Sequence, residues 1–150
     1  MKRLLLIIAV LIPVMAFSKG NPLADKGYMG NVSVEVTPDP SLVIGCNFTT
    51  SHGYSFGDGL WMGGGTGVFT GAEYDGIWLP FTAEVKYSFI NSYEKCSPFM
   101  GCKAGYVTNI ESTFSFISLT GGIDINSMSV FVSYESWAVK TINLGVSYNF

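Results

Sequence analysis

The stretch "TINLGVSYNF", residues 141–150, alternates without a break. Ile142, Leu144, Val146, Tyr148 and Phe150 are apolar, and Thr141, Asn143, Gly145, Ser147 and Asn149 between them are small or polar. A period of two describes a strand with one face in an apolar medium. Chain ends usually fray, so a bulky aromatic at position 150 on the apolar face needs something to hold it.

The same period recurs upstream. Eight alternating segments are bounded by Gly, Pro, Asn, Asp or Ser clusters: Gly27 to Val36, Leu42 to about His52, Leu60 to Thr70, Leu79 to Ile90, Pro98 to Thr108, about Phe114 to Ile125, Met128 to Tyr134, and the closing stretch. In the fourth, Phe81, Ala83, Val85, Tyr87 and Phe89 oppose Thr82, Glu84, Lys86 and Ser88. The third is glycine-dense ("GGGTG") and its facing stays unassigned. No helix-period segment interrupts the series. Eight strands with tight connections fit an all-β, eight-stranded antiparallel up-and-down barrel, which closes on itself and leaves no edge. Closure would also hold the last strand, by pairing it with the first.

Composition decides what lies outside that barrel. Charged residues are 13% and aromatics 15%, against roughly 25% charged in an ordinary domain. The polar faces carry mostly Ser, Thr, Gly and Asn, whereas a water-facing surface is ~25–35% charged. The expected arrangement is therefore a transmembrane β-barrel, with apolar residues toward lipid and polar ones in a narrow lumen. The alternative is a soluble secreted calyx, lipocalin-like, holding an apolar ligand. Aromatics near strand ends support lipid: Tyr28, Phe48, Tyr87, Phe89, Phe99, Tyr148 and Phe150 at one interface, and Trp78, Phe81, Tyr106, Tyr134 and Trp137 at the other. Two such girdles suit the headgroup regions.

The first residues belong to no barrel. "MKRLLLIIAVLIPVMAFSKG" has a basic start, an apolar core too short for the ~20 residues of a membrane span, and an A-x-S pattern at Ala16 and Ser18. Residues 1–18 are read as a secretory signal peptide and 19–150 as the barrel domain. With a net charge of -3 there is no basic patch to recommend nucleic acid. Cys46, Cys96 and Cys102 show no metal-site spacing. Cys96 and Cys102, six residues apart on one extended run at ~3.3 Å per residue, lie beyond disulfide reach.

The chemistry on offer is lumenal. Glu84, Lys86 and Lys103, with Glu35 and Asp124 further round, are expected to form an ion-pair cluster that plugs the bore, since an unpaired buried charge is very costly. An eight-stranded barrel is just wide enough for side chains to fill. Catalysis has little to draw on. His52 in "TTSHGYSF" is the single histidine, placed at a turn, and Ser51 beside it points to the opposite face. No metal, cofactor or phosphate motif is present. A binding role would fall to the loops, of which residues Gly71 to Trp78, with Tyr74, Asp75 and Trp78, offer a small contact.

Asn143, Gly145, Tyr148 and Phe150 match the C-terminal signal of bacterial outer-membrane barrels. Coming after a signal peptide and eight alternating segments, they make the chain resemble the small OmpA/OmpX-like family. "SHGYSFGDGLWMGGG" is similar to barrels of Bacteroidota in particular. The resemblance implies a Gram-negative outer membrane, periplasmic termini, outer-membrane lipid around the barrel, and folding by the barrel-assembly machinery that reads the terminal signal. It carries no activity, because the family includes anchors, adhesins, resistance factors and lipid A or phospholipid-modifying enzymes.

Overall fold

The computed structural model describes residues 22–38, 45–71, 74–89, 96–138 and 140–150. The segment read as a signal peptide lies outside them. Eight strands form one closed barrel in sequence order: β1 (Lys26–Thr37), β2 (Gly45–Gly57), β3 (Leu60–Gly71), β4 (Tyr74–Ser88), β5 (Cys96–Thr108), β6 (Thr113–Ile125), β7 (Met128–Ser136) and β8 (Lys140–Asn149). Every neighbouring pair is antiparallel, including β1 with β8, where Val34 faces Val146 and Val36 faces Leu144. No α-helix occurs among the described residues; a short 3₁₀ turn, Pro22–Ala24, precedes β1.

The start of β1 and the end of β8 lie at one end of the barrel, the terminal end, and the connections after β1, β3, β5 and β7 at the other, the distal end. Two connections differ in extent from the expected ones. β2 continues through "GYSFG", so its turn shrinks to Asp58 and Gly59, both at positive φ (52° and 86°). β4 begins at Tyr74, with Gly71 paired to it, so most of the expected loop from Gly71 to Trp78 is strand.

The alternation sorts into the two surfaces as expected. Val34, Phe48, Phe81, Leu119, Val130 and Leu144 are exposed on the outside. Ser33, Asn47, Ser51, Ser118, Ser133 and Asn143 are buried within. This inverts a water-soluble domain, in which large apolar side chains fill the interior. β3 takes its facing from its partners. Trp61 pairs with Lys86, Gly65 with Thr82 and Phe69 with Trp78, so all six point inward, while Met62, Thr66 and Val68 point out. Large aromatics inward and glycine on both faces hid that register from the sequence.

Position 150 is held as closure requires. Gly30 and Phe150 exchange backbone hydrogen bonds of 2.8 and 2.9 Å. The Phe150 ring lies where a Cβ on Gly30 would be, 2.5 Å from its ring carbons. A residue without a side chain on β1 is therefore the seat of the terminal ring.

Candidate functional site

The bore is filled in four tiers. At the terminal end Leu23, Met29 and Trp61 form a buried apolar cluster. The Trp61 indole donates to the Met29 carbonyl at 3.3 Å. The 3₁₀ turn is tied beneath it by the Gly59 amide, which donates to the Leu23 carbonyl at 3.3 Å.

Above it lies the first polar chamber. Lys86 Nζ meets Asp124 Oδ1 at 2.6 Å and lies 4.0 Å over the Phe99 ring. Asp124, fully buried, also accepts from Ser129 at 2.5 Å and Ser88 at 2.8 Å. Asn149 donates to Ser129 and accepts from Asn31 Nδ2 at 2.8 Å, which carries the network to β8 and β1.

The second chamber is nearer the distal end. Lys103 Nζ reaches across the bore to Glu35 Oε1 at 3.5 Å, and Ser133 donates to Glu35 Oε2 at 2.6 Å. Glu84 accepts from Ser51 at 2.9 Å and Thr82 at 2.8 Å. Gly65 is what lets it do so, since a Cβ there would meet both the Glu84 carboxylate and the Ser51 hydroxyl. Between the chambers is a cavity of about 50 Å³, lined in part by Asn31, Ser33, Glu84, Lys86, Lys103 and Asn149. That is far below the roughly 300–1,000 Å³ of a small-molecule pocket, so no calyx for an apolar ligand is present at this site.

The fourth tier closes the distal end. Phe69, Trp78, Val107 and Phe116 form a buried cluster with Trp137 packed against it. The Trp78 and Trp137 rings meet edge-on at 5.3 Å.

All five expected lumenal charges thus face the bore, but their partners differ from the expected ones. Glu84 and Lys103 are cross-strand neighbours, yet the ion pairs among the described residues run Lys86 to Asp124 and Lys103 to Glu35. Hydroxyls supplied by β2 and β4 engage Glu84 first. Glu135, one residue beyond the seventh expected segment, is inside, 1% exposed, and accepts from Asn47 Nδ2 at 3.3 Å. Its parity with Ser129, Phe131 and Ser133 was the available signal.

The girdle expectation needs correction at the tryptophans. Tyr28, Tyr87 and Phe89 point outward near the terminal end, and Tyr106 and Tyr134 near the distal end. Trp78 and Trp137 turn inward to build the distal cap, and Phe99 turns inward against Lys86. Height along the strand suggests a girdle there, but parity decides the facing: Trp78 shares its face with Thr82, and Trp137 with Ser133. The small contact expected around Trp78 loses its main aromatic accordingly.

Of the terminal motif, Asn143 and Gly145 face the bore, with Thr37 donating to Asn143 Oδ1 at 2.7 Å. Tyr148 and Phe150 stack outside at 6.3 Å. His52 lies within β2 rather than at a turn. It faces outward, with Nδ1 2.5 Å from the Tyr28 hydroxyl and Nε2 3.3 Å from Thr50 Oγ1. Ser51 faces the bore, on the other side of the wall. The three cysteines carry free thiols on the outer surface.

No family model and no curated protein matches the chain. Solved structures do. The N-terminal β-barrel domain of Pseudomonas aeruginosa OprF superposes with a TM-score of 0.52 at 12% identity, over 84% of this chain and 100% of that one. A de novo designed transmembrane β-barrel gives 0.50 at 10% identity, over 89% and 100%. The shared property is the fold. It is a closed barrel of eight antiparallel strands.

Proposed function

We propose that this chain is an integral outer-membrane β-barrel protein of a Gram-negative envelope, with periplasmic termini, a non-conducting bore and a structural rather than catalytic role. The carrying observation is the inverted barrel: an apolar outer face around a bore filled with buried polar groups and capped by aromatics at its distal end. In hydrocarbon each unpaired backbone group costs several kcal/mol, so a closed barrel is the form strands must take there. Outward tyrosines and phenylalanines at both ends suit two headgroup regions. The terminal motif supports folding by the barrel-assembly machinery, and outer-membrane lipid is then the barrel's main partner. Contacts beyond the membrane fall to the distal hairpin tips, of which Asn109–Ser112 presents a fully exposed Ile110. The non-catalytic reading is supported by His52, whose ring nitrogens are engaged by Tyr28 and Thr50 while Ser51 lies across the wall.

Three measurements test this reading. Membrane fractionation with heat-modifiable gel mobility should place the protein in the outer membrane as a detergent-dependent barrel; release by buffer alone refutes it. Purified protein in a planar bilayer should pass no stable conductance steps, and openings of porin size end the plugged-bore account. Acyl release from lipid A or phospholipid that disappears in His52→Ala would replace the structural role with an enzymatic one.

A further inference from the structure

Charge balances in one chamber of the bore and not in the other. In the first, Lys86 and Asp124 neutralise each other. In the second, Glu35, Glu84 and Glu135 share the ammonium of Lys103, which interacts with all three. Glu35 and Glu135 are 1% exposed and Glu84 is 9% exposed. Three carboxylates around one lysine leave a surplus of negative charge in a space with little water, where an uncompensated ion is strongly disfavoured.

The hydrogen bonds show where the surplus sits. Glu84 is held by two hydroxyls and Glu35 by a hydroxyl and Lys103. Glu135 has amide neighbours instead, Asn47 at a long 3.3 Å and Asn143. Beside it are three buried oxygens without a hydrogen-bond partner, Asn47 Oδ1, Ser118 Oγ and Thr141 Oγ1, and one unpaired amide nitrogen, Asn143 Nδ2. Thr141 is the register partner of Glu135 on β8, and Asn47 that of Glu35 on β2. The other titratable groups facing this chamber are Glu35 from β1, Glu84 from β4 and Lys103 from β5. On β6 Asp124 is already held by Lys86. The described inward positions of β2, β3 and β8 carry no titratable side chain.

Carboxylate surplus and unsatisfied oxygen call for the same thing. We propose that Glu135, with Glu35, Asn47 and Thr141 around it, is a binding site for a positive counter-charge, carried either as a proton on the carboxyl or as a hard metal cation held by oxygen. A proton gives Glu135 an O–H to donate to Asn47 once that amide is turned oxygen-first. A hard cation takes carboxylate, amide and hydroxyl oxygens, the donor set such ions favour. The inference rests on the closed bore and stands apart from the membrane assignment.

The test compares wild type with Glu135→Gln, which keeps the shape and removes the charge, by urea unfolding of the folded barrel in detergent at pH 6 to 10, with calcium chloride or with EDTA. The variant should be at least as stable as wild type at pH 9 in EDTA and should respond to neither condition beyond what the lysines contribute. Wild type losing stability relative to the variant as pH rises, with no effect of EDTA, identifies a proton. Wild type gaining stability with calcium and losing it with EDTA, at one ion per chain by elemental analysis, identifies a metal. If Glu135→Gln is the less stable protein throughout and wild type ignores both pH and calcium, Glu135 is an ordinary anion neutralised by Lys103 and the proposal fails. Should the variant not fold, wild type alone decides. A protonated-carboxyl band in its infrared spectrum at neutral pH, or a retained metal, upholds the site, and the absence of both overturns it.

Discussion

Replacing Lys86 by Met tests the claim that the bore is dry enough for charges to need partners. The ammonium is 2.6 Å from Asp124, whose carboxylate is fully buried. Removing one member of a buried pair costs about 3–5 kcal/mol, because the survivor is left uncompensated. Asp124 keeps the hydroxyls of Ser129 at 2.5 Å and Ser88 at 2.8 Å, which places Lys86→Met near the lower end, about 3 kcal/mol. Asp124→Asn strands the ammonium instead. Ser129 at 3.2 Å and the Phe99 face at 4.0 Å relieve it only in part, so this loss is about 2–3 kcal/mol. The double variant contains no charge at this site and has lost one net hydrogen bond, about 1 kcal/mol.

The singles therefore sum to about 5–6 kcal/mol and the pair couples by about 4 kcal/mol. An exposed ion pair couples by roughly 0.2–1 kcal/mol, so the two regimes separate cleanly. Urea unfolding of the four proteins in lipid vesicles, read by gel mobility and by the fluorescence of the barrel's tryptophans, gives the cycle directly. If both singles fall within about 1 kcal/mol of wild type and the double equals their sum, Lys86 and Asp124 behave as solvated charges. The sealed bore, and the charge argument at Glu135 with it, would then be wrong.

Three further outcomes follow from the geometry. Leu144→Arg places a charge on the outer face near mid-strand and should lose about 2–4 kcal/mol in vesicles; a neutral or solubilising effect would mean that this face meets water. Gly65→Val fills the space through which Glu84 reaches Ser51 and should lose about 1–3 kcal/mol as an overpacked site, measured by the same unfolding assay. Gly30→Val displaces the Phe150 ring from its seat, whereas Phe150→Ala removes the ring. If the terminal aromatic is also an assembly signal, Phe150→Ala lowers the yield of folded barrel in cells more than Gly30→Val does, while the two refold in vitro to similar extents; equal yields in cells would confine Phe150 to a packing role.

Much of this molecule was legible from parity alone. A strand leaves two choices of face, and Leu144, Val146 and Tyr148 chose one while Asn143 and Ser147 chose the other. Errors arose where a second criterion displaced parity. Trp78 and Trp137 lie near strand ends, where height suggests a girdle, Glu135 lies one residue beyond the seventh alternating segment, and β3 offers glycine on both sides. Counting in twos from Ser133 would have put Glu135 and Trp137 in the bore.

Which charge meets which is a different matter, because it depends on how strands far apart in sequence face each other across the bore. Glu84 and Lys103 are direct cross-strand neighbours, and local reasoning pairs them. The bore offers more partners than the sheet does: β5 lies across from β1, so Lys103 can reach Glu35, while β2 presents Ser51 to Glu84. A carboxylate takes whatever combination of donors best replaces its water, and for Glu84 the hydroxyls of Thr82 on its own strand and of Ser51 beyond the glycine-rich β3 do this without stretching a long lysine chain. Lys103 is thereby released to span the bore, and three acids converge on one cation. The charge surplus at Glu135 is a consequence of barrel closure, which is why no single strand announced it.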